Sequence, residues 1–126
     1  MTDFKIDHLH IICNDLDAMI HFWTKGLGAS FRENRIFGGA KGAVLLLDSL
    51  QINLRVPKQE EQEMERGFQP HGYDHLGFRV DDLDAACAHL APYGCRIHTG
   101  PVALEDRKIA FLKGPEEITL ELMQML

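Results

Sequence analysis

The chain has 126 residues, of which 45% are hydrophobic and 25% charged, and its formal net charge is −6. These values are ordinary for one globular domain, and the acidic balance argues against nucleic acid as a partner. No apolar run approaches the roughly 20 residues of a membrane span, the N-terminus lacks the layout of a secretion signal, and the three cysteines have no CxxC spacing. We therefore expect a cytoplasmic protein that does not bind membranes.

The first half of the chain predicts one βαβββ unit. Residues 5–13 alternate as in a strand, and Asp15 is a suitable N-cap for a helix whose apolar residues recur at helical spacing. Gly38-Gly39 and Asp48-Ser49 are typical of turns between strands. The expected strand, helix and three strands cover residues 5–13, 17–25, 29–37, 43–47 and 51–56.

The second half predicts the same order of elements after a charged joint at residues 58–70. Asp82 is the expected N-cap, and Gly94 follows the helix as a stop signal. Gly100-Pro101 and Gly114-Pro115 are typical of turns. The expected elements cover residues 73–80, 83–90, 95–99, 107–112 and 118–123.

A repeated motif relates the two halves. Asp7-His8-Leu9 returns as Asp74-His75-Leu76, and Asp15-Leu16-Asp17-Ala18 returns at the same separation as Asp82-Leu83-Asp84-Ala85. Matches at one fixed separation indicate a duplicated module. Since neither module can bury its sheet alone, we expect an α+β fold in which two βαβββ modules form one curved eight-stranded mixed sheet, with helices on its convex face. The single domain, residues 1–126, would comprise a module at about 4–57, a linker at about 58–70 and a module at about 71–126.

Strand alternation places several polar side chains on the concave face of this sheet. His8 and His75 are equivalent in the repeat, and Glu121 lies between Leu120 and Leu122 in the last strand. A carboxylate in such apolar surroundings is costly without a partner. Two imidazoles and one carboxylate suit a divalent ion such as zinc, iron, manganese, nickel or cobalt. The same periodicity brings four further polar residues to this face: His10, Gln51, Asn53 and Thr119.

The repeated Asp-His-Leu and Asp-Leu-Asp-Ala motifs, with the closing Ile-Thr-Leu-Glu-Leu, resemble the vicinal oxygen chelate superfamily. That superfamily includes glyoxalase I, extradiol dioxygenases, fosfomycin-resistance enzymes and bleomycin-binding proteins. The resemblance covers nearly the whole chain and implies that His8, His75 and Glu121 are metal ligands. It also implies a homodimer, with the site built either within one chain or across two.

The resemblance departs from the family pattern at a fourth ligand position. Asn53 stands where glyoxalase I-like enzymes usually have a glutamate, and Gln51 lies two residues earlier on the same face. Either amide is a candidate fourth ligand, although a neutral hydrogen-bonding role suits an amide better. Residues 38–47 contain no acid that could serve as a second base.

The function that the resemblance implies first is a metal-dependent isomerase or lyase. Its small substrate would bind the metal through two neighbouring oxygens, and Glu121 or a metal-bound water would move the proton next to the carbonyl. The alternatives are an iron(II) extradiol-type dioxygenase, a fosfomycin-type thiol transferase and a metal-free ligand- or drug-binding module. The sequence identifies neither the substrate nor the metal. Four residues are candidates for substrate binding: His10, Arg55, Arg79 and Arg107.

Overall fold

The computed structural model describes Asp3, residues 5–61 and residues 75–126. The chain divides into two compact units, Met1–Arg66 and Gly67–Leu126. The elements of the first unit are strand β1, helix α1 and strands β2, β3 and β4, which cover His8–Ile12, Leu16–His21, Ser30–Phe37, Ala40–Leu47 and Leu50–Arg55.

Helix α1 begins where the sequence predicts. The Asp15 carboxylate accepts a hydrogen bond of 3.0 Å from the backbone N–H of Ala18, which satisfies one of the free donors of the first turn. The helix widens into a π-helical turn at Phe22–Gly26, and Gly28 then adopts a positive φ of 85°. Met19, Phe22 and Trp23 are almost fully buried, so this segment supplies much of the first unit's core.

The first sheet has the order β1-β4-β3-β2, with β1 parallel to β4 and the remaining pairs antiparallel. Ile52 and Leu54 of β4 are buried on one face, and α1 contacts this strand. The opposite face carries Gln51, Asn53 and Arg55, as the alternation of side chains in a strand requires. The first unit therefore has an apolar face beneath its helix and a polar face on the other side.

The second unit repeats this arrangement. Strand β5, helix α2 and strands β6, β7 and β8 cover Leu76–Arg79, Leu83–Leu90, Arg96–Ala103, Arg107–Lys113 and Thr119–Met125. Its sheet has the order β5-β8-β7-β6, with β5 parallel to β8. Asp82 caps α2 by accepting a 3.1 Å hydrogen bond from the N–H of Ala85, and Gly94 lies in the left-handed conformation after it. The α+β class and the two βαβββ modules are thus confirmed.

The predicted turn at Gly100-Pro101 was wrong, because β6 continues through these residues to Ala103. Thr99 pairs with Phe111 and Val102 pairs with Ile109, so the register shifts between the two pairs. Such an irregularity absorbs extra residues without ending the strand. Proline is tolerated here because β6 is the outer strand of its sheet and needs no donor on its free side.

The joint between the modules is described only at its start. A short 3₁₀ turn covers Gln59–Glu61. The rest of the predicted linker and the predicted beginning of the fifth strand at Tyr73 lie outside the described residues.

No helix within residues 5–61 or 75–126 is both long enough and apolar enough to cross a membrane.

Candidate functional site

The second unit brings two of the predicted metal ligands together. His75 lies immediately before β5, and its Nε2 is 3.2 Å from Oε1 of Glu121 on the neighbouring strand β8. The His75 side chain is 31% exposed and the Glu121 side chain 18% exposed, so both are accessible to a small ligand. The Phe111 ring stands edge-on to the imidazole, with ring centroids 5.2 Å apart. Two distant residues of the sequence thus form an imidazole–carboxylate pair on the polar face.

Gly77 leaves room for this pair. It is the direct strand partner of Glu121, and an added Cβ would lie 3.8 Å from Oε1 of that carboxylate. Because alternate residues of a strand share a face, His75 and Gly77 lie on the same side as Glu121. A side chain larger than methyl at residue 77 would therefore compete with the Glu121 carboxylate for space.

In the first unit, a neighbouring acid orients His8. The His8 imidazole donates a hydrogen bond of 2.7 Å from Nδ1 to Oδ2 of Asp7. A proton held on Nδ1 leaves the lone pair of Nε2 available, and a carboxylate partner of this kind commonly supports a metal-binding histidine. His8 is exposed and shares its face with His10, whose ring centroid is 6.3 Å away.

The strand registers confirm that the two modules are equivalent around these residues. His10 pairs with Asn53 in the first sheet, and Gly77 pairs with Glu121 in the second. The same two adjacent positions are filled by His10 and Asn53 in the first module and by Gly77 and Glu121 in the second. At this pair of positions, the second module therefore has a carboxylate, and the first has an imidazole and an amide.

The two candidate fourth ligands bind each other. Gln51 donates a 3.0 Å hydrogen bond from Nε2 to Oδ1 of Asn53. Asn53 is the one polar side chain among the buried residues of the described regions, with 4% exposure. Since a buried amide oxygen needs a donor, the Gln51 contact satisfies one of the two lone pairs of the Asn53 oxygen.

His10 sits in an aromatic and cationic environment. The Phe37 ring stands edge-on to it with centroids 4.6 Å apart, and that ring lies over Gly42, where an added Cβ would be 2.7 Å from Cδ2 of Phe37. Burial lowers the pKa of His10 first, and the charges of Arg55, His8 and Lys58 lower it further. His10 is therefore poised to act as a neutral imidazole at neutral pH.

Two of the three arginine candidates are bound by nearby acids. Arg55 forms a two-pronged pair with Glu61, with contacts of 2.6 and 3.0 Å, and this pair lowers the pKa of Glu61 to about 2. Arg107 donates to both oxygens of Asp106 at 3.0 and 2.8 Å. Arg79 is exposed at the end of β5 and has no ion pair with any residue in the described parts of the chain.

The donor types available on the polar faces fit a first-row divalent ion. The second unit supplies an imidazole nitrogen and a carboxylate oxygen 3.2 Å apart, and the first supplies a second imidazole, that of His8, whose Nδ1 contacts Asp7. Within residues 5–61 and 75–126, no three histidine, cysteine, aspartate or glutamate side chains lie together as a group that could hold a metal. The described structure therefore brings His75 and Glu121 together but does not bring His8 to them.

Comparison with known proteins identifies the family of this chain. The model of the Glyoxalase/Bleomycin resistance protein/Dioxygenase superfamily matches residues 5–122, which is nearly the whole chain. The chain belongs to this superfamily. The match spans both modules and includes His8, His75 and Glu121.

Individual relatives agree with the family. The chain is 30% identical to a probable lactoylglutathione lyase of Vibrio cholerae, and the match covers 98% of this chain and 93% of the relative. A glyoxalase family protein of Bacillus cereus has the same fold with a TM-score of 0.84, at 18% identity over 100% of this chain and 97% of the other. A fosfomycin resistance protein of Listeria monocytogenes, FosX, crystallised with Mn(II), gives a TM-score of 0.74 at 15% identity over 99% and 93%.

Three residues that contact the predicted site residues were not predicted from the sequence: Asp7, Phe37 and Glu61. Asp7 belongs to the repeated motif, which was a signal that it accompanies its histidine. Phe37 reaches His10 only because Gly42 has no side chain, and that depends on the pairing of strands. Glu61 lies in the charged joint, where nothing in the sequence distinguishes it from Glu60 beside it.

Proposed function

We propose that this superfamily member is a metal-dependent lyase or isomerase of the glyoxalase type. Its substrate would be a small molecule that presents two neighbouring oxygens. The observation that supports this most directly is the contact between Nε2 of His75 and Oε1 of Glu121. These residues are 46 positions apart in the numbering, and a partly exposed carboxylate against an imidazole is the donor pair that such a metal site requires.

The proposed ligand set is His8, His75 and Glu121, supplied either by one chain or by two copies of it. His8 is included because its Nδ1 contacts the Asp7 carboxylate, which makes Nε2 the nitrogen that would bind the metal. Asn53 and Gln51 are the candidates for a fourth ligand; their mutual hydrogen bond uses one of the two lone pairs of the Asn53 oxygen. Zinc, iron, manganese, nickel and cobalt all suit two nitrogens and one oxygen, so the metal is to be identified by analysis.

A bound divalent ion would supply Lewis-acid stabilisation of the negative charge that develops on the substrate's oxygens. The chain's own groups then have distinct roles. The Glu121 carboxylate, on the polar face, accepts the proton from the carbon next to the carbonyl. The neutral imidazole of His10, on the same face of its sheet as His8, is placed to hydrogen-bond the substrate.

The relative of 30% identity named as a probable lactoylglutathione lyase favours a lyase over the other chemistries of the superfamily. We therefore expect the hemithioacetal of methylglyoxal and glutathione to be converted to S-lactoylglutathione. Oxygen uptake with a catechol under iron(II) would indicate a dioxygenase instead. Opening of the fosfomycin epoxide by a thiol would indicate a transferase.

Metal content is the first test. Elemental analysis of the purified protein, followed by removal and titration of each candidate ion, measures stoichiometry and affinity. His75→Gln and Glu121→Gln should each weaken binding by at least about tenfold. His98→Gln is the matched control, because His98 is an exposed histidine on β6. Wild-type affinity in both site variants would contradict the proposed ligand set.

Activity is the second test, carried out with each metal restored. Glu121→Gln should remove turnover even at saturating metal, because an amide cannot accept the proton. The absence of stoichiometric metal together with tight binding of a bleomycin-like drug would instead indicate a ligand-binding module. Light scattering at working concentration tests the further expectation of a homodimer.

A further inference from the structure

A second feature of the first unit lies beside the turn between β2 and β3. Residues 38–41 and 56–60 line an open cavity of about 570 Å³. Its lining includes the glycine turn, two lysines, Lys41 and Lys58, and Glu60. The cavity lies where the chain leaves β4.

The backbone that carries Lys58 is held in place. The N–H of Lys58 donates a 2.8 Å hydrogen bond to Oε1 of Glu61, and Glu61 is in turn held by both terminal nitrogens of Arg55. The chain therefore folds back on β4 immediately after the strand ends. Glu61 neutralises Arg55 and at the same time fixes the residue that presents the Lys58 side chain.

The side chain of Lys58 extends over Gly38. Its Nζ is 3.0 Å from the position that a Cβ on Gly38 would occupy, so the glycine makes this approach possible. Within residues 5–61 and 75–126, no carboxylate lies within ion-pair distance of this ammonium group, whereas Arg55, Arg107 and Lys108 each have one. The charge of Lys58 acts on the nearby Glu61 carboxyl, but that carboxylate is bound by both terminal nitrogens of Arg55. A half-buried ammonium group with no ion pair of its own is a favourable partner for an anion.

The turn beneath Lys58 adjoins a residue that contacts the candidate site. Phe37, whose ring stands edge-on to that of His10, directly precedes Gly38, over which the Lys58 side chain extends. His10 in turn shares a strand face with His8.

We infer that Lys58, at the Gly38–Gly39 turn, binds an anionic group of the substrate, a carboxylate, phosphate or phosphonate. That the bound anion belongs to a substrate rests on the proposed function, but the anion site itself rests only on the first unit. The site would select molecules that carry a negative charge at a distance from their two metal-binding oxygens. Lys41 is exposed on β3 and also borders a separate hollow with Asp15 and Asp17 at the start of α1, where acids rather than anions from solution face it. It therefore serves as the internal control.

The experiment is a titration of the full chain with methylphosphonate, inorganic phosphate and acetate at constant ionic strength. Binding is followed by the ring proton signals of His10 and the Nζ-attached carbon signal of Lys58 in NMR spectra. We expect saturable shifts, a loss of affinity of at least about tenfold in Lys58→Gln, and little change in Lys41→Gln. Thermal melting of each variant verifies that it is folded.

Three results would overturn the assignment. These are shifts that never saturate, equal affinity in Lys58→Gln and the wild type, or equal weakening by Lys58→Gln and Lys41→Gln. The titration is done on metal-free protein, so it is separate from the tests of the proposed function. Saturable, Lys58-dependent binding in a protein with no metal affinity would refute the proposed metalloenzyme and support the anion site. Metal-dependent turnover without anion binding would support the metalloenzyme and refute the anion site.

Discussion

Gly42 allows a sharp test of how the first sheet supports the site. It lies in β3 opposite Arg55, and an added Cβ would be 2.2 Å from the backbone oxygen of Leu54 and 2.7 Å from Cδ2 of Phe37. The first contact is with the backbone of a paired strand, so it can be relieved only if the strands part. The second would push Phe37 away from His10. We therefore predict that Gly42→Ala destabilises the first unit and disturbs His10.

The magnitude follows from the contacts. Overpacking of this kind typically costs about 1–3 kcal/mol, and weakening one strand hydrogen bond adds about 1 kcal/mol. Replacing glycine by alanine within a strand returns roughly 0.5–1 kcal/mol. The net expected loss in the free energy of unfolding is about 2 kcal/mol. Gly77→Ala is the matched control, since its nearest new contact, at 3.5 Å, is the flexible end of Met123.

Urea denaturation measures both variants. Trp23 is the single tryptophan and is 1% exposed, so its fluorescence reports the first unit, while circular dichroism reports both units. Gly77→Ala should be unchanged or more stable by roughly 0.5 kcal/mol. If Gly42→Ala matched the wild type in its fluorescence transition, the strand geometry and the contact argument would both be refuted.

Three further predictions concern single acidic residues: Glu61 after β4, Asp7 beside His8, and Asp82 at the start of α2. Glu61 has a pKa of about 2, compared with an ordinary value of 4.5. Its pairing with Arg55 therefore stabilises the fold fully above pH 4.5 and progressively less as the pH falls towards 2. The difference in melting temperature between Glu61→Gln and the wild type should become smaller over that range. Asp7→Asn should weaken metal affinity about 10- to 100-fold through His8. Asp82→Ala should cost about 0.5–2 kcal/mol of unfolding free energy.

Each of these predictions has a neighbouring control. Glu60→Gln should leave the acid profile of the melting temperature unchanged, Asp17→Asn should retain wild-type metal affinity, and Asp81→Ala should retain wild-type stability. If the melting temperatures of Glu61→Gln and the wild type differed by the same amount at every pH down to 2, the assigned pair would be contradicted. Equal effects of Asp82→Ala and Asp81→Ala would mean that the cap hydrogen bond contributes nothing.

The repeat and the order of elements could be read directly from the sequence. Both depend on local patterns, namely the returned Asp-His-Leu motif, the caps at Asp15 and Asp82, and the alternation of side chains along β4 and β8. Alternation also placed Asn53 and Glu121 on the polar faces of their strands, and the registers pair them there with His10 and Gly77. The period of a strand is a property of the chain itself, so it requires no knowledge of neighbours.

Contacts between side chains were decided only by the tertiary structure. The approach of His75 to Glu121 depends on the pairing of β5 with β8. The Gln51–Asn53 hydrogen bond and the Arg55–Glu61 pair depend on side-chain conformation. The continuation of β6 through Gly100-Pro101 likewise depends on its pairing with β7. A local pattern shows which way a side chain faces, but the distance to its partner is set by residues far away in the chain, and that distance determines the chemistry.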